Sequence, residues 1–572
     1  MQLTIRILLL AVLAVPPLQA QTATFKPHRF EPAFSAPVNA ELGELRVPEN
    51  RTKAGSRSIT LRFIRFRSTS DKPGHPIVYL AGGPGGSGTD AARGTRFALV
   101  SSLREHGDVI AFDQRGTGLS EPSLACAGEY MTRFDAPLDR TTGGAALAAA
   151  VQRCAEQFAA GGGDVTGYNT RESAADLMDL RKALGAEKLV LWGISYGTHL
   201  SIATLREHGP YVDRVILAGI EGPDETYKLP SDQQTLMEEI ARLSAKAGQP
   251  DLLAAITRVA RELEARPKSV TLVHPVNGMA APLTVGKLDF QQALSGMLFA
   301  PDSFAGMPDF VHRLDRGDWT ALALAAARNR MGRLPSLMSV AMDCASGISA
   351  TRRAVIADEA QRTLLGDSIN IPFPEVCSAL PPMDLGDTFR APLATTVPAL
   401  LISGTLDGRT RLRQAEELRR TMPNAVHLVI ENAGHSDPLF LSTPRILEAM
   451  KEFLRSGTIK ERFVSAPPAE LLPLRTVATV ADDKLARYPG TYRIDEKSTR
   501  KVVKAGSMLY TIRDGGGPLP LRPSSETEFF YEGMAATIRF ELDPNGKVKA
   551  MLFRSGTGEE QRAVREEAAK DL

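Results

Sequence analysis

Several things are scarce in this chain of 572 residues. Neither sign of charge prevails: 68 Lys and Arg stand against 66 Asp and Glu, a net charge of +2. That balance excludes a global electrostatic drive toward nucleic acid or an anionic membrane. Aromatic residues are only 6% of the total, so the 43% hydrophobic fraction is mostly aliphatic. No stretch of 18 uninterrupted apolar residues occurs, which excludes a conventional membrane-spanning helix. There are only four cysteines, and no C-x-x-C spacing that would support a zinc site. No internal repeat is evident. What remains is an ordinary globular mixture, 23% charged. It is neither disordered nor collagen-like, and it is too long for one small domain.

The first twenty residues stand apart. Arg6 supplies a positive start, Ile7 to Val15 form a short apolar core, Pro16-Pro17 break it, and Ala20 is the small residue a signal peptidase favours. Residues 1–20 are therefore expected to be a signal peptide, with no membrane attachment after its removal and a periplasmic or extracellular destination. In an oxidising compartment the cysteines read as disulfides. They fall into two local pairs, so Cys126–Cys154 and Cys344–Cys377 is the simplest arrangement. Each closes a loop of about thirty residues, worth roughly 3–4 kcal/mol in the loop-entropy model.

Beyond the leader, residues 58–66 alternate as a strand does. Residues 76–80, 108–112, 188–192 and 212–217 are apolar runs of the kind found in buried parallel strands. Residues 170–184 have helical periodicity and stop at Gly185. Strands alternating with helices imply an α/β fold with a mostly parallel sheet flanked by helices. The alternation breaks over 226–385, where Ala and Leu recur at helical spacing, so a helical insertion is expected there. Strand character returns at 397–403 and 426–430, followed by a helix over 444–454. The core is thus expected in two parts, 21–225 and 386–458. A Pro-containing linker over 459–480 leads to an all-β unit over 481–572, with Asp543-Pro544-Asn545-Gly546 as a hairpin turn.

Gly193-Ile194-Ser195-Tyr196-Gly197 fits G-x-S-x-G at the end of an apolar strand and before a helical segment, the context of a nucleophile elbow. A hydroxyl needs a base, and the base needs an orienting acid. His435 lies in a loop just past a strand, and Asp407 follows the preceding one. Both belong at strand carboxyl ends, on the same edge of the sheet as Ser195. Asp437 is the rival acid, but two residues from His435 is too local to orient that ring. His427, inside an apolar strand, reads as a packed residue. Ala81 to Gly88 form a Gly-rich loop after a strand. There Gly83 can offer a backbone N–H to an oxyanion, with Tyr196 as the second donor. A phosphate loop is the rival, but its Lys-Ser/Thr ending is absent. No cofactor and no metal are expected.

Ala81-Gly82-Gly83-Pro84-Gly85, Asp113-Gln114-Arg115-Gly116-Thr117-Gly118-Leu119-Ser120 and the Ser195 motif together resemble proline iminopeptidases and tripeptidyl aminopeptidases of the α/β-hydrolase fold. The resemblance covers roughly residues 40–458. It implies Ser195 as nucleophile, Asp407 as acid, His435 as base, and the insertion as a cap over the site. It also implies that acids of the cap region hold the substrate's free amine, and Glu221, Asp224 and Glu225 are the candidates. Ala81 stands where the iminopeptidases usually carry His. Paired cysteines and an export leader are closer to the secreted tripeptidyl branch. Leu485 to Tyr492 resembles small β domains appended to some bacterial serine hydrolases. The expected activity is release of N-terminal residues or short peptides from a peptide with a free N-terminus. An esterase with the same triad is the alternative, and a non-catalytic binding protein is a second one. No nucleic-acid partner is expected.

Overall fold

The computed structural model describes residues 23–514 and 516–566, so the expected signal peptide lies outside the described residues. Ten strands form the central sheet: β1 (Thr24–Phe30), β2 (Val38–Pro48), β3 (Ser58–Phe66), β4 (Ile77–Leu80), β5 (Val109–Asp113), β6 (Leu189–Ser195), β7 (Val212–Ile220), β8 (Ala399–Gly404), β9 (Ala425–Glu431) and β10 (Phe463–Ser465). Their spatial order is β1-β2-β3-β5-β4-β6-β7-β8-β9-β10. The first three strands and the β3–β5 junction are antiparallel, and every pairing from β5 to β10 is parallel.

The apolar runs are buried on both faces, as a sheet with helices on each side requires. Along β4, Val78 and Leu80 face a layer that includes Leu61, Phe63 and Ile110, while Ile77 and Tyr79 face a second layer with Ile64, Phe66 and Phe97. This period-2 exchange makes each strand a divider between two cores. The helix Thr170–Ala183 is capped by Asn169, whose side chain accepts the Glu172 N–H, and it buries Ala174, Leu177 and Leu180.

Between β7 and β8 the chain builds a cap. The helices Pro230–Lys246, Leu252–Ala265, Lys287–Met297, Met307–Asp315 and Thr320–Arg330 share a separate core of Leu236, Ile240, Ile256, Leu263, Phe290 and Phe310. The insertion is not wholly helical. Lys268–Val273 and Ala280–Val285 form an antiparallel hairpin, and Glu129–Met131 crosses from the core to pair with Met331–Arg333. Two disulfides, Cys126–Cys154 and Cys344–Cys377, close loops of 28 and 33 residues. Among the described residues no helix is long and apolar enough to cross a membrane.

At the C-terminal end, eight antiparallel strands between Gly490 and Arg565 close into a barrel, the first pairing with the last through Tyr492 and Arg565. Its interior holds Leu485, Tyr488, Tyr492, Phe529, Tyr531, Ile538 and Phe540, so the Leu485–Tyr492 string is the barrel's aromatic plug. The chain leading to it is not a bare tether. Ala469 and Leu471 pack on the cap core, the Leu472 N–H donates to the Ala305 carbonyl at 2.8 Å, and the Arg475 N–H donates to Asp309 at 2.6 Å.

Candidate active site

Ser195 ends β6 with φ 54° and ψ −125°, and the helix Tyr196–His208 starts immediately after it. Positive φ at a non-glycine residue is strained, and a sharp strand-to-helix turn is where such strain has a use. The turn fits because its flanks are bare. A Cβ on Gly197 would lie 2.8 Å from the Leu80 carbonyl carbon, and one on Gly82 would lie 2.8 Å from Cβ of Ser195. The Thr198 hydroxyl donates to the Ser195 carbonyl at 2.6 Å and accepts the Glu221 N–H at 2.8 Å, fastening the elbow to the end of β7.

His435 and Asp407 come together across two loops. Nδ1 of His435 lies 2.8 Å from Oδ2 of Asp407. The same carboxylate accepts the Arg409 N–H at 2.8 Å, the Thr410 N–H at 2.8 Å and the Thr410 hydroxyl at 2.7 Å. Burial pushes the Asp407 carboxyl up, but the charge and hydrogen bond of His435, with the backbone and hydroxyl hydrogen bonds of Thr410, outweigh it and hold the group below the usual carboxylate range. Thr410 also lies 3.2 Å from Nδ1 of His435, so it braces both partners. The backbone N–H of His435 donates to the Phe299 carbonyl at 3.1 Å, and the Phe299 ring meets the imidazole edge-on at 5.1 Å, which ties His435 to the cap.

Ser195 and His435 line one cavity of about 440 Å³ together with Gly82, Gly83, Phe299 and Arg409. Gly83 sits in the loop after β4, and Tyr196 begins the helix after Ser195. The loop is pinned from below by the D-Q-R-G string. Asp113 accepts from the Ser87 hydroxyl at 2.9 Å and from the Thr89 N–H and hydroxyl at 3.0 and 2.7 Å. Gln114 donates to the Ala81 carbonyl at 3.1 Å. Arg115, fully buried, grips Asp176 at 2.7 and 2.8 Å. From above, the Ser339 hydroxyl of the helix Leu337–Ser346 donates to the Pro84 carbonyl at 2.6 Å.

Asp437 lines the same cavity, but its carboxylate pairs with Arg96 at 2.7 Å. His427 is buried between Glu416 at 2.8 Å and Ser403 at 3.0 Å. The three acids considered for the substrate's amine are not brought to the catalytic cavity. Glu221 is paired with Lys228 at 2.6 Å. Asp224 accepts the N–H and hydroxyl of Ser349, both at 2.6 Å, and so secures the start of the helix Ala350–Ala360. Glu225 accepts the Gly222 N–H at 2.9 Å and lies 3.6 Å from Arg413 and 3.8 Å from Arg352. The residues that sequence reasoning missed are Thr198, Ser339, Arg409 and Thr410. They carry no motif of their own, although Arg409 and Thr410 stand within three positions of the acid.

A model of the alpha/beta hydrolase fold family matches residues 75–440. The chain is 30% identical over 361 residues to the serine protease Hip1 of Mycobacterium tuberculosis, spanning 58% of this chain and 68% of that protein. It is 29% identical over 218 residues to the tripeptidyl aminopeptidase of Streptomyces lividans, covering 36% of this chain and 40% of that one. It is 27% identical over 157 residues to the proline iminopeptidase of Xylella fastidiosa, covering 27% and 36% respectively.

Proposed function

The chain belongs to the alpha/beta hydrolase fold family, and from that premise we propose an exported serine aminopeptidase that releases N-terminal residues or short peptides through an acyl-enzyme on Ser195. The observation that carries the reading is the 2.8 Å contact between His435 and Asp407 on the cavity that Ser195 also lines. The Ser195 hydroxyl attacks the scissile carbonyl while Nε2 of His435 takes its proton. Asp407 keeps the imidazole in the tautomer with a proton on Nδ1 and stabilises the imidazolium. The N–H groups of Gly83 and Tyr196 receive the oxyanion. His435 then returns the proton to the leaving amine, and water repeats the sequence to free the acyl group. The peptidase names of the relatives and the two disulfides support a peptide substrate outside the cytoplasm.

The engagement of Glu221, Asp224 and Glu225 with protein partners favours a second reading, an acyl hydrolase that needs no amine. One experiment separates the two: peptide anilides with free and acetylated N-termini, beside simple nitrophenyl esters. An aminopeptidase loses 10²-fold or more in kcat/KM on acetylation, the equivalent of about 3 kcal/mol. Equal rates on free and acetylated peptides, with fast ester turnover, overturn the aminopeptidase reading and leave the triad standing.

A further inference from the structure

Arg409 stands two residues past the catalytic acid, yet its side chain does not serve that acid. Its backbone N–H binds Asp407, while among the described residues its guanidinium takes no hydrogen bond and no ion pair. It is half-buried and lines two cavities at once. One is the catalytic cavity with Ser195 and His435. The other, about 450 Å³, lies between the cap and the start of the helix Arg140–Ala160 and includes Arg140, Arg328, Arg333, Gln292 and Ser295 in its wall.

The charges around Arg409 are accounted for. Glu221, Asp407 and Asp343 act on it at a distance. Glu221 is held by Lys228 at 2.6 Å, and Asp407 by His435 and Thr410. Burial and the neighbouring Glu221 push the Asp343 carboxyl well up, so it tends to keep its proton. A guanidinium keeps its charge in a protein, and the unpaired donors of Arg409 open onto the two cavities. The cap cavity repeats the bias. Arg140 is satisfied by Asp367 and Glu375, but among the described residues Arg328 and Arg333 have no ionic partner. The acid in that wall, Asp139, caps the helix Arg140–Ala160.

We propose that Arg409 is the specificity-determining residue of an anionic subsite, which takes a carboxylate of the peptide substrate at the junction of the catalytic and cap cavities. A planar guanidinium matches a carboxylate bidentately, and Arg328 and Arg333 add attraction from the cap side. The carboxylate belongs either to an Asp or Glu side chain or to the peptide's C-terminus.

This rests on the peptide-cleaving reading above. The test uses the full-length protein and peptides of one length, with Glu or Gln at each position around the scissile bond and with free or amidated C-termini. The wild type is expected to favour the carboxylate at least tenfold in kcat/KM at one position. The position that responds identifies side chain or terminus. Arg409→Gln, checked for an unchanged thermal midpoint, brings that ratio to near one. Arg409→Lys keeps part of it, and the Arg328→Gln/Arg333→Gln pair lowers it. A wild-type ratio near one on peptides that are cleaved overturns the subsite, as does an Arg409→Gln enzyme that slows every substrate alike with the ratio intact. Cleavage of no peptide overturns the peptidase reading instead. Succinyl against butyryl nitrophenyl esters then decide the subsite in the same cavity, with equal rates counting against it.

Discussion

At Ser195 the backbone conformation costs on the order of 1–3 kcal/mol, which the bare flanks at Gly82 and Gly197 and the Thr198 brace sustain. Members of a triad act as a unit, so Ser195→Ala or His435→Ala should each lower kcat by about 10³-fold or more in a protein that still folds. Near-wild-type turnover in either variant would remove the assignment. Asp407→Asn should cost about 10⁴-fold through the wrong imidazole tautomer, whereas Asp437→Asn, which loosens the Arg96 pair and the Thr95 hydrogen bond, should be mild. Comparing the two in one assay settles which acid serves His435. Asp343 offers a pH test of stability. Its folded pKa lies well above that of the unfolded chain, where an Asp titrates near about 3.9. The folded state therefore keeps a proton that the unfolded state releases, and stability falls as pH rises from the unfolded value through the folded one. Asp343→Asn should raise the thermal midpoint at neutral pH, and the gain should vanish toward pH 4. Thermal melts across that range check it, and a gain independent of pH would contradict the carboxyl as its source.

Among the elements, the loop after β4, proposed to carry the Gly83 oxyanion donor, is held from two sides. Asp113 and Gln114 grip it from the core, and Ser339 on the helix Leu337–Ser346 grips it from the cap side. Cys344 on that helix is bonded to Cys377, so the disulfide steadies the helix that supports the loop after β4. Removing the pair with Cys344→Ala/Cys377→Ala should cost about 2–5 kcal/mol in denaturant melts and lower kcat more than KM. Peptide maps without reduction should show Cys126 joined to Cys154 and Cys344 to Cys377. The strands β4 to β9 were legible as runs of mostly β-branched and aliphatic residues, and β3 by its alternation of apolar and polar residues. β1 and β2 were not, because Thr24–Phe30 carries Lys26, Pro27 and His28 on an edge where one face meets solvent. The cap hairpin escaped for a similar reason: Ala280–Val285 is short and only Leu283 and Val285 are buried, so it has no strong period of its own.

The whole molecule is joined more tightly than its composition implies. Arg313 of the cap, nearly fully buried, is clasped by Glu532 of the barrel as well as by Asp309 and Asp318. Arg522 of the barrel reaches Asp318 at 2.6 Å, and Arg475 stacks over Phe530 at 4.7 Å. The barrel thereby braces the cap, and the cap carries Phe299 onto His435. A chain ending before residue 466 should keep its central sheet but lose stability in the cap. The expected signs are a lower thermal midpoint, faster proteolysis near residues 300–333 and reduced turnover. The finer variant Glu532→Gln should cost about 1.5–3 kcal/mol, the range for a hydrogen bond to a charged group. An unchanged melting profile in both variants would mean that the barrel bears no load.

The sequence alone determined the periodic strands and pointed to Ser195, Asp407 and His435 as the proposed triad, because these depend on local pattern and on chain order within one sheet. It also placed the cysteines in two local pairs. Only the tertiary structure decided what long-range contact controls. Glu221 looked available for a ligand until Lys228, seven residues on, was found in contact with it, and Asp224 until Ser349 was found capping against it. Arg409 was one charged residue among many until the fold left its guanidinium between two cavities with no partner among the described residues. Whether a charge is spent or open depends on which groups lie within about 4 Å, and in a folded chain that distance is set by packing, not by spacing along the sequence.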